Sequence, residues 1–244
     1  MTKQTGLGDH LAVGGYDLSG DIGSISQIGG GPVALEVTGI DKSAFERLGG
    51  LRNGGMTFSA WFNKAAGRAH PVLSALPRAD VIALYGRGGA IGNAGAACQS
   101  LQVNYDPTRA ADGSLSIGVA VQSDGYGLEW GEQLTDWVRT DTTGTNGTGF
   151  DGGASSSFGA QFYLEMTAVV GTSCTVKIQD SADNSSWLDL SGAAFSAVLA
   201  GAVSAQRIAV AGTVRRYLRA VSSGTFSSAS FAVLACRNAT AVVF

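Results

Sequence analysis

In the run Met56-Thr57-Phe58-Ser59-Ala60-Trp61-Phe62, the apolar side chains Met56, Phe58 and Phe62 all fall on even positions. A period of two brings side chains to one face only in a strand, where successive Cβ atoms point to opposite sides of a sheet. Leu115, Ile117, Val119 and Val121 repeat the pattern, so both runs read as half-buried antiparallel strands. Further β-like runs at residues 24–28, 33–37, 81–85 and 101–105 lie between Gly, Pro, Asn and Asp turn signals. Helical signal is confined to two short stretches. Residues 41–48 set Ser43 and Glu46 at capping-box spacing ahead of Gly49-Gly50. Residues 70–76 open on His70-Pro71, with proline in the first turn, and Pro77 forbids continuation.

Residues 139–157, RTDTTGTNGTGFDGGASSS, lack apolar periodicity, and a loop of that length inside one compact domain is uncommon. The segment therefore reads as a flexible linker between a β domain at residues 1–138 and a second at residues 158–244. In the latter, residues 158–170, 175–180, 207–210, 216–222 and 228–236 read as strands and Ala182-Asp183-Asn184-Ser185 as a tight turn. The predicted fold class is all-β: a β-sandwich with a short flanking helix, then a smaller Ig-like or jelly-roll-like sandwich.

Charge then narrows the function. Charged residues make up 14% of the chain against a usual share of about 25%, which implies an exterior covered by further copies or by partners. The net charge is −3, with 16 Lys and Arg in all, which opposes a nucleic-acid binder, since holding phosphates takes a basic patch. Residues 1–150 are the acidic part. No apolar run is long enough to span a bilayer, and the N-terminal stretch has no signal-peptide pattern; the expectation is a soluble chain of the reducing cytosol.

Cys98, Cys174 and Cys236 are far apart and form no Cys-x-x-Cys pair. Free buried thiols are expected, with a Cys174–Cys236 bridge as the alternative. Neither His10 nor His70 stands in a catalytic context, and no Gly-x-Ser-x-Gly elbow or phosphate loop occurs. Gly86-Arg87-Gly88-Gly89-Ala90-Ile91-Gly92 has Ile91 where a dinucleotide loop needs its third glycine, and reads as a hairpin or loop. Asp180, Asp183 and Asp189, with Asn184, match no calcium loop and read as turn formers. Glu129 and Glu132 resemble a glycosidase pair in residue type alone, and their neighbours give no reason for a raised pKa. Asn146, Asn184 and Asn238 open glycan sequons, which read as chance without an export signal. Arg215, Arg216 and Arg219 form the one basic cluster, a solvated sheet surface or a contact with an acidic neighbour. No catalytic, metal or cofactor residue is assigned, and no enzyme activity.

Three passages resemble the major tail (tail tube) proteins of long, flexible-tailed phages. They are Tyr16-Asp17-Leu18-Ser19-Gly20-Asp21-Ile22, then Phe45-Glu46-Arg47-Leu48-Gly49-Gly50-Leu51-Arg52-Asn53-Gly54 running into the 56–62 strand, and Asn104-Tyr105-Asp106-Pro107-Thr108-Arg109 with Asp112-Gly113-Ser114-Leu115. The resemblance implies a β-sandwich or half-barrel with a helix on its flank. Six copies close into a ring, and rings stack into a tube through which DNA leaves without specific binding. Expected partners are further copies, the tape measure and the terminator; the location is the virion tail, with no membrane contact. Acidity in residues 1–150 suits a channel lining that repels DNA. The second half resembles accessory β domains of phage virion proteins and is expected to face outward and to be removable without loss of the tube. The alternative function is a capsid decoration or surface carbohydrate-binding protein.

Overall fold

The computed structural model describes residues 5–75 and 78–242, and the side chains of all of these but 78 and 79. Its first half comprises β1 (His10–Val13), β2 (Tyr16–Asp17), β3 (Ile22–Glu36), β4 (Arg47–Trp61), α1 (Ala69–Leu73), β5 (Arg78–Gly86), β6 (Ala94–Gln102), β7 (Asp106–Arg109), β8 (Leu115–Ser123) and β9 (Glu129–Gln133). Strands β3, β4, β8 and β7 pair in that order as one layer. A second layer runs β2, β1, β5, β6 and β9, and the two are joined where the end of β6 pairs with β8. All of these pairings are antiparallel. Between the layers lie Met56, Phe58, Ala60, Ile117, Val119 and Val121 from one side and Leu11, Val13, Val81, Ala83 and Cys98 from the other. The alternation read from the sequence supplies one wall of this core, although Phe62, just past β4, is exposed.

Helix α1 seals an edge of the core with Ala69, Val72 and Leu73. Pro71 stands in its first turn, where its missing N–H costs no bond. The helix start is capped from a distance by Asp21, whose Oδ2 accepts from the Ala69 amide at 3.1 Å. Leu76 and Pro77 lie outside the described residues.

The helix expected at residues 41–48 does not form. The chain turns there and β4 has begun by Arg47, with the Val37 amide bonded to the Glu46 carbonyl. Every residue from 41 to 48 is exposed. A helix this short has no nucleus without a buried face, whereas the β3–β4 ladder pairs as far as Glu36 and Arg47.

The second half contains β10 (Arg139–Asp141), β11 (Phe150–Asp151), β12 (Ala160–Ser181), β13 (Trp187–Ala194), β14 (Val198–Leu199), β15 (Ser204–Val210) and β16 (Tyr217–Arg237). Strands β12 and β16 are 22 and 21 residues long and pair from Ala160 and Arg237 to Ser181 and Tyr217. Four of the strands expected from sequence are thus halves of two long ones. Each bends at a glycine with φ of 129°, Gly171 and Gly224, beside register shifts. One arm of the bent pair carries β15 and β10, the other β13, β14 and β11. Phe162, Leu164, Met166, Val176, Ile178 and Phe231 are among the side chains packed between them.

The segment 139–157 is not a free tether. Strands β10 and β11 pair with β16, and isolated bridges join Asn146 to Val221 and Ser156 to Val214. Its glycines serve close approach: a Cβ on Gly147 would meet the Ala220 carbonyl oxygen at 2.5 Å, and one on Gly149 the Trp187 ring at 2.8 Å. Gly and Thr there mark tight packing against β16, which composition does not distinguish from flexibility.

The two halves share one continuous sheet, because β9 pairs with β6 on one side and with β16 on the other. Strand β5 shows how deep the junction runs. Val81, Ala83 and Tyr85 face the first core, while Ile82 and Leu84 face a third cluster with Trp137, Tyr163, Ala232 and Leu234.

Candidate functional site

The junction holds the most deeply buried charges. Glu129, from β9, takes a forked pair from Arg207 of β15, with Arg207 Nη2 at 3.0 Å from Oε1 and 3.1 Å from Oε2. Both side chains are about 95% buried. Tyr163 Oη donates to Glu129 Oε2 at 2.5 Å, and the Tyr126 ring lies 3.8 Å from the guanidinium carbon. Arg52 reaches the same carboxylate at 3.4 Å from β4. Burial, with the Glu129 charge second, pushes the Tyr163 hydroxyl far above its ordinary range. Close by in the fold, the Gly15 amide donates to Glu165 Oε2, which brings the β1–β2 turn onto β12. These bonds clamp the halves together, and the ionised groups are spent on one another.

Glu129 and Glu132 are not a catalytic pair. Three positions apart on a strand, they point to opposite faces, and Glu129 is committed to Arg207. The expectation of an ordinary Glu132 is corrected, since burial raises its pKa while Arg237 opposes the shift. His10 stacks on Trp137 with ring centroids 5.0 Å apart, and His70 Nδ1 lies 2.6 Å from Tyr105 Oη. Cys98, Cys174 and Cys236 are all free and buried, so the Cys174–Cys236 bridge does not form. Desolvation pushes Cys98 and Cys174 up to about 11, which keeps them as thiols at neutral pH.

The aspartates of the second half are each occupied locally. Asp180 accepts from Arg215 Nη2 at 2.6 Å, Asp189 from Lys177 Nζ at 2.7 Å, and Asp183 from the Ser185 and Ser186 amides. Those amide bonds, Ser186 first, hold Asp183 well below the usual carboxylate range. Among the described residues no group of His, Cys, Asp and Glu is placed to hold a metal ion. Arg216 pairs with Asp151 at 2.6 Å, and Arg219 lies over the Trp187 ring at 4.3 Å while bonding Gln179. Arg215 and Arg216 thus meet acidic partners within the chain, and Arg219 an amide and a ring. Residues 86–92 end β5 and turn into β6, as the hairpin reading required.

What remains open is the β3–β4–β8–β7 layer. Among the described residues β3 pairs only with β4 and β7 only with β8, so both outer edges present unpaired backbone groups. Edge strand β3 runs for 15 residues with one charge, Glu36. Its distal part and that of β4 form an arm, residues 32–52, on which Val33, Leu35, Val37 and Leu48 are 52, 50, 47 and 59% exposed. Leu35 and Leu48 are directly paired and so lie on one face. A cavity of about 350 Å³ at the arm's root is lined by Gly29, Gly30, Gly31, Gly54 and Gly55 among others, and brings no charged side chains together. The sequence showed 33–37 as a strand but not that it stands clear of the core. Its apolar residues alternate as a half-buried strand's do, and pattern does not say which molecule buries them. Of the three phage-like passages, the first forms β2 and the entry to β3, the second the arm's return strand, and the third β7 with the turn into β8.

No protein-family model matches the chain, and no curated protein matches its sequence. Among solved structures it is similar to the SPP1 Dit (gp 19.1) protein, described as a paradigm of the hub adsorption apparatus in phages infecting Gram-positive bacteria. The likeness covers 93% of this chain and 98% of that one, at 10% identity and a TM-score of 0.34. It is also similar to the phage p2 baseplate in its activated conformation with Sr, over 96% of this chain and 99% of that one, at 10% identity and a TM-score of 0.36.

Proposed function

We propose that the chain is a structural subunit of a phage tail, and that its copies join edge to edge into rings, six to a ring, that stack as the tail tube. The observation that carries this reading is the four-stranded layer open at both edges. An edge strand of 15 residues with a single charge is a template for another chain's strand, and its bulges at Ile22–Ser24, Ile25–Gln27 and Pro32–Ala34 confine that pairing to the regular stretches between them. Pairing β3 of one copy with β7 of the next uses two different patches. That is a head-to-tail contact which closes into a ring if the rotation allows.

The arm supports the same reading. Fully burying a Val or Leu side chain contributes about 1.5–3 kcal/mol, so covering even half the surface of Val33, Leu35, Val37 and Leu48 favours association by several kcal/mol. The resemblance of the three passages to tail tube proteins names the assembly. On this reading the tape measure and terminator are the partners met inside the tube and at its end, and the second half faces outward. Electron micrographs of the purified full-length protein test the proposal: rings or tubes are expected, and single particles at high concentration would sink it.

A further inference from the structure

We infer that the arm of residues 32–52 is aimed from the second half: Arg207 and Tyr163 fix the Glu129 carboxylate, and that carboxylate holds Arg52 at the arm's root. The aim is a property of the single chain, and only its use in joining copies rests on the ring reading above.

The arm has little of its own to set its direction. Strand β4 pairs with β8 from Gly55 to Trp61, so beyond Gly55 the arm is a ladder of two strands. Two strands are marginal without a third strand or a core to pack on. At the root, Gly29 faces Gly55, Gly30 faces Gly54 and Gly31 faces Asn53. That level of the ladder lacks the cross-strand side-chain pairs that stiffen a sheet, and a register shift follows between Pro32 and Ala34. The arm's direction is therefore left to what touches its root from outside.

Two contacts do so. The loop between β8 and β9 packs on the root: a Cβ on Gly54 would lie 2.5 Å from Leu128 Cβ, and one on Gly127 would lie 3.1 Å from Arg52 Nε. Arg52 also reaches Glu129, its Nη2 lying 3.4 Å from Oε1. Other charged contacts of the arm stay inside it, since Lys42 pairs with Asp41 and Glu46, and Arg47 lies over the Phe45 ring.

What fixes Glu129 comes from across the junction. Arg207 of β15 donates to the carboxylate from Nη2 and, at 3.2 Å, from Nε. The same Nε donates to Tyr163 Oη at 3.0 Å, while the Tyr163 hydroxyl donates to Glu129 Oε2. The Tyr126 ring, in the loop beneath the arm, lies against the Arg207 guanidinium. Both supports of the root thus lead to Arg207. An arm fixed before copies meet has less freedom to lose on joining, so the second half favours assembly without touching the neighbouring copy.

The test places spin labels at Ser43→Cys, in the turn that ends the arm, and Ala111→Cys, in the β7–β8 turn, both exposed positions. The native thiols are buried and contribute little background. Their separation is read by pulsed dipolar electron paramagnetic resonance on the full-length chain, at concentrations where sedimentation shows monomer and below each variant's melting temperature. The doubly labelled parent is expected to give one narrow distance. Arg52→Gln is expected to broaden it, and so is Tyr163→Phe, which removes a single hydroxyl on β12. Arg47→Gln, which removes a cation whose contact stays inside the arm, is expected to leave it narrow. A broad distance in the parent, a narrow one in Arg52→Gln, or equal broadening by Arg47→Gln overturns the hold on the root. Broadening by Arg52→Gln with no change in Tyr163→Phe overturns aiming from the second half. Absence of rings in micrographs of the parent would remove the ring reading and leave these monomer distances, and the aim, standing.

Discussion

Two glycines fix the second half at the scale of single residues. At Gly171 an added Cβ would lie 2.6 Å from the Phe226 α-carbon, and at Gly224 it would strike the Ser173 carbonyl oxygen; both have φ of 129°. Only glycine adopts that conformation without strain, so Gly171→Ala or Gly224→Ala is expected to lower stability by roughly 1–3 kcal/mol each, measured by urea unfolding. The sequence offered no sign that these glycines bend a continuous strand, because a bend and a break carry the same residue. Glu132 is the residue whose environment composition hid most fully. Its pKa is raised mainly by burial, so its protonated form is the one the fold favours. Any stability it contributes is present below the unfolded value and lost as pH rises through the folded one. Glu132→Gln is therefore expected to raise the melting temperature at pH 7 and to change it little at pH 4, by thermal unfolding at the two pH values.

Elements were legible where one face meets a core inside the same half. The alternation of Met56, Phe58 and Phe62 and of Leu115, Ile117, Val119 and Val121 predicted β4 and β8; Met56, Phe58, Ile117, Val119 and Val121 are buried, whereas Leu115 is half-buried and Phe62 exposed. The arm and the 41–48 turn were not legible, since a local capping pattern outvotes a ladder only when a helix has something to pack on. Strand β5 held an unread signal. Its run of five apolar residues, 81–85, lacks alternation, which is the mark of a strand covered on both faces. At this scale Leu35→Asp with Leu48→Asp is expected to abolish assembly while leaving the melting temperature of the monomer within a few degrees, because both side chains are more than half or about half exposed. Sedimentation velocity together with thermal unfolding checks both parts; rings that persist would remove the arm from the contact.

For the whole molecule, the all-β class and a short helix within residues 70–76 were readable from residues alone, whereas the relation of the halves was not. The pairing of β9 with β16, the third cluster and the Glu129–Arg207 clamp all join segments far apart in sequence, and no local pattern reports such contacts. They bear directly on whether the second half is removable. A chain ending at residue 150 would expose Ile82, Leu84 and Ala97 and strip Glu129 of Arg207 and Tyr163, leaving it Arg52 alone. That fragment is expected to be unfolded or aggregated by circular dichroism and light scattering, and a soluble fragment with native strand content would restore the two-module view. Edge-to-edge joining of the open layer is the claim on which the tube and the arm's role in it depend. Its most direct measurement is cross-linking of the full-length Ser26→Cys, Thr108→Cys variant by a short bis-maleimide, with products sized on a denaturing gel. The account predicts a ladder of oligomers ending in one closed species, absent from either single variant. Monomer alone, at concentrations where micrographs show rings, would contradict it.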